Sequence, residues 1–341
     1  MKRMSVRHRS EGQSTSGQES PATSRPLHRG RDVAERYALL GFLLLLILAF
    51  SLLLPSTFPT TGNFVSMIEA QAILLFLALA VTLPLRAGDF DLSVGQTMVF
   101  TAILVSILTT QEHLSVPLAI VAAIATGAVI GAINGTLIVV VGLNAFVTTL
   151  GMMTLLEGIG YAMTNYNVIF NVPSSLENLS RHQIDGIPLE AYFGWALLLV
   201  LWYLYDFTPF GRHLLVTGEK PEAARLSGIR IGAVRFSAFL GAALISAVAG
   251  ILLAGQLGAV DPTTGPQYLL TPYAAAFLGS TTVRIGQFNA LGTLIGLYLL
   301  VVGITGLELN GAQPWVSEVF NGGALIAAVL FARMTRGRIA A

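Results

Sequence analysis

The sequence lacks cysteine and has few charged residues. With no Cys among its 341 residues, the chain has no disulfide, no thiolate nucleophile and no cysteine-based metal site. Charged residues make up 11% of the chain, whereas soluble domains carry about 25%. The motifs Gly-xxxx-Gly-Lys-Ser/Thr, His-Glu-xx-His and Gly-x-Ser-x-Gly are also absent, which excludes the usual phosphate-binding loop and two common catalytic arrangements. The composition argues against a soluble protein, and the missing motifs argue against an enzyme.

Long apolar stretches fill most of the chain. Hydrophobic residues make up 54% of it, and the mean hydropathy is +0.72. Because a helix needs about 20 mostly apolar residues to cross a bilayer, we predict an all-α, polytopic membrane protein with about ten transmembrane helices. The eighth span is too short for a straight crossing unless residues from about Tyr268 join it. The predicted spans are residues 37–54, 66–85, 92–110, 116–141, 145–164, 191–205, 236–257, 273–283, 288–307 and 315–331.

Basic residues predict the orientation of these spans. If the N-terminus is cytoplasmic and the spans alternate, every Lys and Arg except Arg181 lies on the cytoplasmic side. Cytoplasmic loops of membrane proteins carry an excess of Lys and Arg. We therefore predict ten spans with both termini in the cytoplasm. Spans two to five and seven to ten then form two groups of four that begin on opposite sides of the membrane, as inverted-repeat transporters do.

The chain divides into a membrane domain and two tails. Residues 1–36 are basic and rich in Ser, Gly, Gln and Pro without apolar periodicity, which predicts a disordered cytoplasmic tail. The transmembrane domain covers residues 37–332 and includes a polar cytoplasmic loop at 207–235. Residues 333–341 form a second cytoplasmic tail.

The polar stretch at residues 208–232 interrupts the apolar pattern. Pro221 suits the first turn of a helix, Thr217 or Glu219 can cap its start, and Gly228 stands where a C-terminal cap belongs. The residues between Pro221 and Gly228 are good helix formers. We predict a turn, a short exposed helix and a second turn. Such a segment is either a plain connecting loop or the docking site of a soluble partner.

The polar stretch also contains a long motif. It consists of Phe-Gly-Arg at 210–212, then Gly218, then Glu-Ala-Ala-Arg-Leu-Ser-Gly-Ile at 222–229. This motif closely resembles the cytoplasmic loop of permease subunits of the ribose/xylose/galactose-type ABC sugar importers, in which the loop lies on the ATPase subunit and transmits its motion. The resemblance implies a type II importer-like arrangement of the spans. It implies an ATPase-coupling role for Gly211, Arg212, Gly218, Glu222, Ala223, Ala224, Arg225, Leu226, Ser227 and Gly228.

Residues 86–95 join the second and third spans and carry two acids, Asp89 and Asp91. Asp91 and Ser93 are placed to cap the helix of the third span, and Arg86 can pair with an acid. This structural interpretation is favoured over contact with substrate, and paired carboxylates are also typical of proton relays. The stretch resembles the family's Gly-Gly-Ile-Asp-Leu-Ser-Val-Gly motif, with Asp89 in place of the second Gly.

Two further stretches resemble the same family. Residues 142–151 are similar to its Leu-Pro-Pro-Phe-Ile-Val-Thr-Leu-Gly segment, although Asn144 and Ala145 replace both prolines. Residues 267–281 are similar to another family segment but lack its two acids. Hydroxyls in these stretches either bond to backbone carbonyls one turn back or line a polar path. The residues assigned to the translocation pathway are Asp89, Asp91, Ser93, Phe146, Thr148, Thr149, Tyr268 and Thr281.

Acids and glycines inside the spans have two interpretations each. Glu69 and Glu157 are functional candidates because an intramembrane acid is costly. Interfacial solvation explains Glu69 equally well, and a hydrogen bond to a neighbouring helix explains Glu157 equally well. Gly127, Gly131 and Gly135 form a stripe that permits close helix packing, which is favoured over a pore-lining role.

The resemblance covers residues 37–332 and implies a function. It implies a membrane-spanning permease subunit of an ATP-binding-cassette importer that moves a monosaccharide, a pentose or hexose, across the bacterial inner membrane. The implied partners are a second permease subunit, cytoplasmic ABC ATPase subunits and a periplasmic or lipid-anchored substrate-binding protein, which would dock on the external segments 165–190 and 258–271. The chain is then no enzyme and needs no cofactor of its own, since ATP and Mg²⁺ bind to the ATPase.

Two alternatives stay open. Similar permeases carry other small polar solutes, such as autoinducer-2, nucleosides or amino acids. A proton-coupled secondary transporter would use Asp89, Asp91, Glu69 or Glu157 for ions, but it has no use for the helix motif at 222–229.

Overall fold

The computed structural model describes the backbone of residues 29–339 and the side chains of residues 36–331. This part of the chain is mostly helical, as predicted, and adds one antiparallel hairpin in which Ile184 pairs with Ile187. The helices are α1 (Arg29–Leu53), α2 (Thr61–Arg86), α3 (Val94–Thr110), α4 (Val116–Val139), α5 (Ala145–Thr164), α6 (Ser174–Arg181), α7 (Leu189–Phe207), α8 (Pro209–Glu219), α9 (Pro221–Leu226), α10 (Ile231–Leu257), α11 (Gln267–Gly279), α12 (Ala290–Leu309) and α13 (Trp315–Ile339). The strands are β1 (Gln183–Ile184) and β2 (Ile187–Pro188).

Both predicted tails are partly helical. α1 begins at Arg29 rather than after residue 36, and α13 continues to Ile339. The residues just before the first apolar span include Ala, Glu and Arg, which are good helix formers, so the helix extends beyond the apolar stretch. The predicted disorder of residues 1–28 lies outside the described residues.

Each of the ten predicted spans overlaps one helix. Six helices are long and apolar enough to cross a membrane, and the pair α7 and α8, bent by 73°, is a seventh candidate. α3 and the apolar part of α13 are shorter, and α11 has 13 residues. Between residues 29 and 339, six or seven helices therefore meet the length and composition of a full crossing, fewer than the ten predicted.

The eighth predicted span is a short helix. α11 begins at Gln267, so the residues from Tyr268 do join the span, and it ends at Gly279. A Cβ on Gly95 would be 3.3 Å from the carbonyl oxygen of Tyr268, so the start of α11 lies against the first turn of α3. The residues before α11 are not helical. α3 covers this non-helical segment on one side, at Gly95.

α10 is the central helix of the bundle. It packs against α2, α3, α4, α6 and α8. A Cβ on Gly127 of α4 would be 2.5 Å from the Cβ of Ala247, and one on Gly131 would be 2.8 Å from the Cβ of Ala243. Larger side chains on the glycine stripe would overlap α10, so the packing interpretation of the stripe is confirmed.

Replacing Gly131 by leucine is expected to destabilise the protein. The new side chain would push α4 away from α10, and such overpacking costs about 1–3 kcal/mol. Titration with SDS in mixed micelles should show unfolding at a lower SDS fraction. Gly41→Leu in α1 is the matched control, since a Cβ there would meet no atom within 4 Å. Equal midpoints for the two variants would contradict close packing of α4 on α10.

The segment at residues 165–190, predicted as a loop, is structured. It contains α6 and the hairpin, and the Oγ of Ser180 donates a hydrogen bond of 2.8 Å to a backbone carbonyl of α10. Ile169 pairs with Val260 through backbone hydrogen bonds of 3.0 and 2.9 Å. The two segments predicted as one docking surface, 165–190 and 258–271, are thus joined by backbone pairing.

Candidate functional site

The polar stretch begins at the bend between α7 and α8. Thr208 lies at the bend, and its Oγ1 accepts a hydrogen bond of 3.3 Å from the N–H of Gly211. Pro209 begins α8, a position where its missing N–H costs nothing. A Cβ on Gly211 would overlap the carbonyl oxygen of Leu204. The motif glycine at 211 is therefore a requirement of the bend.

The C-terminal end of α8 lies directly on the connection between α2 and α3. A Cβ on Gly218 would overlap the carbonyl oxygen of Arg86. A Cβ on Gly88, whose φ is +88°, would be 3.1 Å from the Cα of Gly218. Backbone meets backbone here because neither glycine has a side chain. The contact fixes the polar stretch to the connection that carries Asp89 and Asp91.

α9 confirms the predicted short helix. It begins at Pro221 and is followed by Gly228, which has a φ of +76° and so serves as the terminating glycine. The predicted capping of its start is wrong, because Thr217 and Glu219 both lie in α8. The turn predicted before it is also wrong, since α8 occupies that position and its apolar residues pack on the bundle.

Most of α9 is exposed. Ala224 is buried, whereas Leu226 is 88% exposed and is flanked by the exposed charges of Glu222 and Arg225. Burial of a leucine side chain contributes about 1.5–3 kcal/mol, so this surface offers an apolar anchor with a charged rim. The exposed members of the predicted coupling set are Arg212, Glu222, Ala223, Arg225, Leu226, Ser227 and Gly228.

Arg86 connects the end of α2 to α7, to α8 and to the α11–α12 connection. It is 3% exposed, and its Nη1 donates a hydrogen bond of 2.7 Å to the carbonyl of Phe288. Its Nε and Nη2 donate longer bonds, of 3.3 and 3.5 Å, to the carbonyls of Gly211 and Tyr205. The guanidinium also lies 4.6 Å from the centroid of the Tyr205 ring. The predicted ion pair of Arg86 with a neighbouring acid is therefore wrong, because backbone carbonyls and a ring surround it instead.

Asp89 pairs with Arg235 on α10. The Nε of Arg235 is 2.7 Å from Oδ2 of Asp89, and its Nη2 is 2.8 Å from Oδ1. This is the bidentate, charge-assisted geometry that makes an arginine–carboxylate pair strong. The acid that departs from the family motif is thus neutralised by an arginine that follows the polar stretch.

Asp91 organises the start of α3. Its Oδ1 accepts hydrogen bonds from the N–H of Ser93 at 3.0 Å and from the Oγ of Ser93 at 2.6 Å. The Nδ2 of Asn134 on α4 donates to Ser93 Oγ at 2.9 Å, and the hydroxyl of Tyr273 on α11 donates to the Asp91 carbonyl at 2.8 Å. Asp91 is 1% exposed. The capping role predicted for Asp91 is confirmed, whereas the side chain of Ser93 makes no cap bond itself.

Thr149 brings α5 to the same place. Its Oγ1 accepts a hydrogen bond of 3.0 Å from the N–H of Leu92 and donates one of 2.8 Å to a carbonyl one turn back. Three of the predicted pathway residues therefore meet, together with Asn134 and Tyr273, which sequence reasoning missed. A buried Asn in an apolar span was the available signal for Asn134. We call this set the polar cluster: Asp91, Ser93, Asn134, Thr149 and Tyr273.

The remaining predicted pathway residues lie apart from the polar cluster. Phe146 is 50% exposed near the start of α5, and the hydroxyl of Thr148 donates to a carbonyl one turn back. Thr281 follows the end of α11, where its hydroxyl donates to a backbone carbonyl at 2.7 Å. Tyr268 lies beside the first turn of α3.

Glu157 and Glu190 each have a side-chain hydrogen-bond partner. Glu157 accepts a hydrogen bond of 2.7 Å from the hydroxyl of Tyr161, which lies on the same helix, so the predicted bond to a neighbouring helix is wrong. Glu190, which sequence reasoning missed, is buried and accepts a bond of 2.6 Å from Gln256. Gln256 also donates to the backbone carbonyl of Glu69 at 2.9 Å.

A pocket of about 320 Å³ lies next to the α2–α3 connection. Arg86, Asp89 and Phe90 line it on one side, and Gly218 and Glu219 of α8 line it on another. The connection therefore borders open space on one face while α8 contacts it on another.

Comparison with known proteins identifies the type of protein. A family described as "Branched-chain amino acid transport system / permease component" matches residues 63–329. The chain belongs to this family. The match extends from α2 into α13 and so includes every element of the site. Membership confirms the resemblance to importer permeases, and the long apolar helices agree with a multi-pass membrane protein.

Individual relatives cover most of the chain. The Ribose import permease protein RbsC of Escherichia coli (strain K12) is 31% identical over 293 residues, which are 84% of this chain and 90% of the relative. The protein of the same name from Bacillus subtilis (strain 168) is 32% identical over 293 residues, 85% of this chain and 90% of the relative. The Autoinducer 2 import system permease protein LsrC of Salmonella typhimurium (strain LT2) is 30% identical over 297 residues, 87% of this chain and 85% of the relative. No solved structure matches the chain.

Proposed function

We propose that the chain is the membrane-spanning permease subunit of an ATP-binding-cassette importer for a monosaccharide, a pentose or hexose. The observation that supports this most directly is α9, an exposed helix with a protruding Leu226. One ATPase subunit would bind α9 and the residues around it, and a second would bind the corresponding loop of the other permease subunit. ATP and Mg²⁺ then act on the partner, and the permease itself performs no chemistry.

The contacts of α8 support a mechanical role for the loop. α8 meets the α2–α3 connection backbone to backbone at Gly88 and Gly218, and Arg86 bonds to the carbonyl of Gly211. If the ATPase displaces α9 and with it α8, the α2–α3 connection would therefore be displaced by a similar distance. Such a transition requires two states that differ in their contacts at this loop.

The same proposal includes a topology. Ten elements enter the membrane, α11 as a short one, and both termini are cytoplasmic in the bacterial inner membrane. The paired segments at 165–190 and 258–271 then face outwards and receive a substrate-binding protein. A second permease subunit completes the assembly, and the exposed apolar residues of α5 offer it a surface.

Sugar is the proposed substrate class for two reasons. Two of the relatives are named as ribose permeases. The α2–α3 connection also presents Phe90, which is 40% exposed, and an aromatic ring can stack on a sugar. Autoinducer-2 is the second candidate, because a relative of similar identity is named for it.

The test uses the full-length chain, purified from its native membrane with the ATPase that accompanies it and reconstituted in lipid discs with its binding protein. Glu222→Ala/Arg225→Ala is expected to weaken ATPase binding about tenfold, a loss of about 1.4 kcal/mol. ATP hydrolysis is measured with pentoses, hexoses and autoinducer-2, and the solute that stimulates it names the substrate. Glu112→Ala, at an exposed site outside both the polar stretch and the two external docking segments, is the control.

Three outcomes decide the matter. Weakened binding in the α9 variant alone, with stimulation by one sugar, supports the proposal. Stimulation by autoinducer-2 alone keeps the importer and replaces its substrate. Solute movement driven by a proton gradient without any ATPase would overturn the proposal in favour of a secondary transporter.

A further inference from the structure

The ion pair between Asp89 and Arg235 joins two elements that the importer mechanism must move together. Arg235 lies in the second turn of α10, which starts at Ile231 shortly after α9 ends at Leu226. Asp89 lies in the α2–α3 connection. The two side chains share two hydrogen bonds, of 2.7 and 2.8 Å, so the pair resists both separation and rotation.

The α2–α3 connection has room to respond. The pocket of about 320 Å³ borders Asp89 and Phe90. Phe90 follows Asp89 directly in the chain, and its ring lies 6.0 Å from that of Tyr273 and 6.3 Å from that of Phe277, measured between centroids. A shift of Asp89 would therefore change how Phe90 stacks on α11.

We propose that the Asp89–Arg235 pair is a rigid strut that carries movement of the α9–α10 junction to Phe90. Asp89 and Arg235 are positioning residues: they act through Phe90 and do not touch substrate. The role of the strut depends on the proposed function, because the ion pair transmits movement only if an ATPase moves α9. It is additional to the glycine contact of α8, which reaches the connection at Gly88 and leaves Phe90 two residues away.

A second ion pair of the chain provides a matched control. Arg284 Nη2 lies 3.1 Å from Oδ2 of Asp206, so this pair also joins an arginine and an aspartate near the polar stretch. It links the α11–α12 connection to the end of α7 and does not involve the α9–α10 junction. Its loss should leave coupling unchanged.

The first experiment compares Asp89→Asn with Asp206→Asn in the reconstituted complex. Asp89→Asn is expected to lower the amount of sugar moved per ATP hydrolysed about tenfold, within the range of coupling effects between sites, while ATPase binding to the permease stays at the wild-type level. Asp206→Asn should leave both quantities unchanged. If wild type transports with coupling and Asp89→Asn does so equally well, the strut is wrong and the importer stands. If wild type itself shows no coupling, the proposed function falls and the strut falls with it.

The second experiment distinguishes loss of the ion pair from misfolding of the variant. It is possible because the sequence contains no native cysteine, so introduced thiols react alone. Asp89→Cys/Arg235→Cys should lose coupling as Asp89→Asn does. Bridging the two thiols with a bifunctional methanethiosulfonate reagent of ion-pair length should restore it, and reduction should abolish it again. A bridged protein that remains uncoupled would overturn the strut, since a rigid connection would then be insufficient or harmful. Each single-cysteine variant treated with the reagent controls for the modification itself.

Discussion

Replacing Arg86 by alanine is expected to lower the free energy of unfolding by about 3–5 kcal/mol, because it leaves buried backbone carbonyls without a donor. The guanidinium serves the carbonyls of Phe288, Gly211 and Tyr205 and also lies on the Tyr205 ring. An unsatisfied buried acceptor costs about 1–3 kcal/mol. The 2.7 Å bond to Phe288 should account for the largest share, and the two longer bonds for less.

SDS titration in mixed micelles measures this loss as an earlier unfolding midpoint. Arg212→Ala, which removes an exposed arginine of the same polar stretch, is the control and should unfold as wild type does. Arg86→Lys should fall between the two, since an ammonium keeps the charge but cannot reproduce the planar fork of donors. Equal midpoints for Arg86→Ala and Arg212→Ala would show that the carbonyl contacts of Arg86 do not hold α2, α7, α8 and the α11–α12 connection together.

The positions of the helices could be predicted because each depends on about 20 consecutive residues. All ten apolar spans coincide with helices for this reason. How many of them cross the membrane completely could not be predicted in the same way. α11 is short because the chain before it packs against α3 as non-helical backbone. A contact between segments so far apart in the sequence leaves no local pattern from which it could be predicted.

In the candidate site, too, contacts between residues close in sequence could be predicted and contacts between distant residues could not. Asp91 was correctly predicted as a cap because its partner, Ser93, is two residues away. The partners of Arg86 and Asp89 were not, since Arg235 is 146 residues from Asp89 and the nearest carbonyl partner of Arg86, Phe288, is 202 residues away. Proximity in sequence favoured an ion pair between Arg86 and a neighbouring acid. In the structure, Arg86 bonds to backbone carbonyls and Asp89 pairs with Arg235.

For the glycines of the family motif, the resemblance gave a role but no structural reason for the absence of a side chain. It assigned Gly211 and Gly218 to coupling without a physical reason. The structure gives a packing reason for glycine at both positions: a side chain there would overlap backbone, at the α7–α8 bend in the first case and at the α2–α3 connection in the second. These glycines allow close backbone contact, whereas Glu222 and Leu226 form the exposed surface of α9.

Replacing Asp91 by alanine is expected to cost about 2–4 kcal/mol, because it removes a buried helix cap and leaves polar groups unpaired. The Oδ1 of Asp91 accepts from both the N–H and the Oγ of Ser93, and Ser93 in turn accepts from Asn134. Loss of the carboxylate should loosen the start of α3 and its contact with α4. The SDS midpoint should fall, and sugar transport should fall with it.

Asp91→Asn separates this structural role from ion transport. An amide oxygen can accept the two bonds from Ser93, so a cap survives the change and the cost should stay near 1 kcal/mol. A proton-relay carboxylate has no such tolerance, because an amide does not titrate. Near-normal transport by Asp91→Asn, measured as sugar uptake into proteoliposomes with ATP inside, supports the cap. Abolished transport in a variant whose SDS midpoint matches wild type would contradict it and would return Asp91 to the transport pathway. The asparagine variant therefore distinguishes a structural cap from a proton-relay carboxylate at Asp91. The alanine variant cannot, because both roles predict that it loses transport.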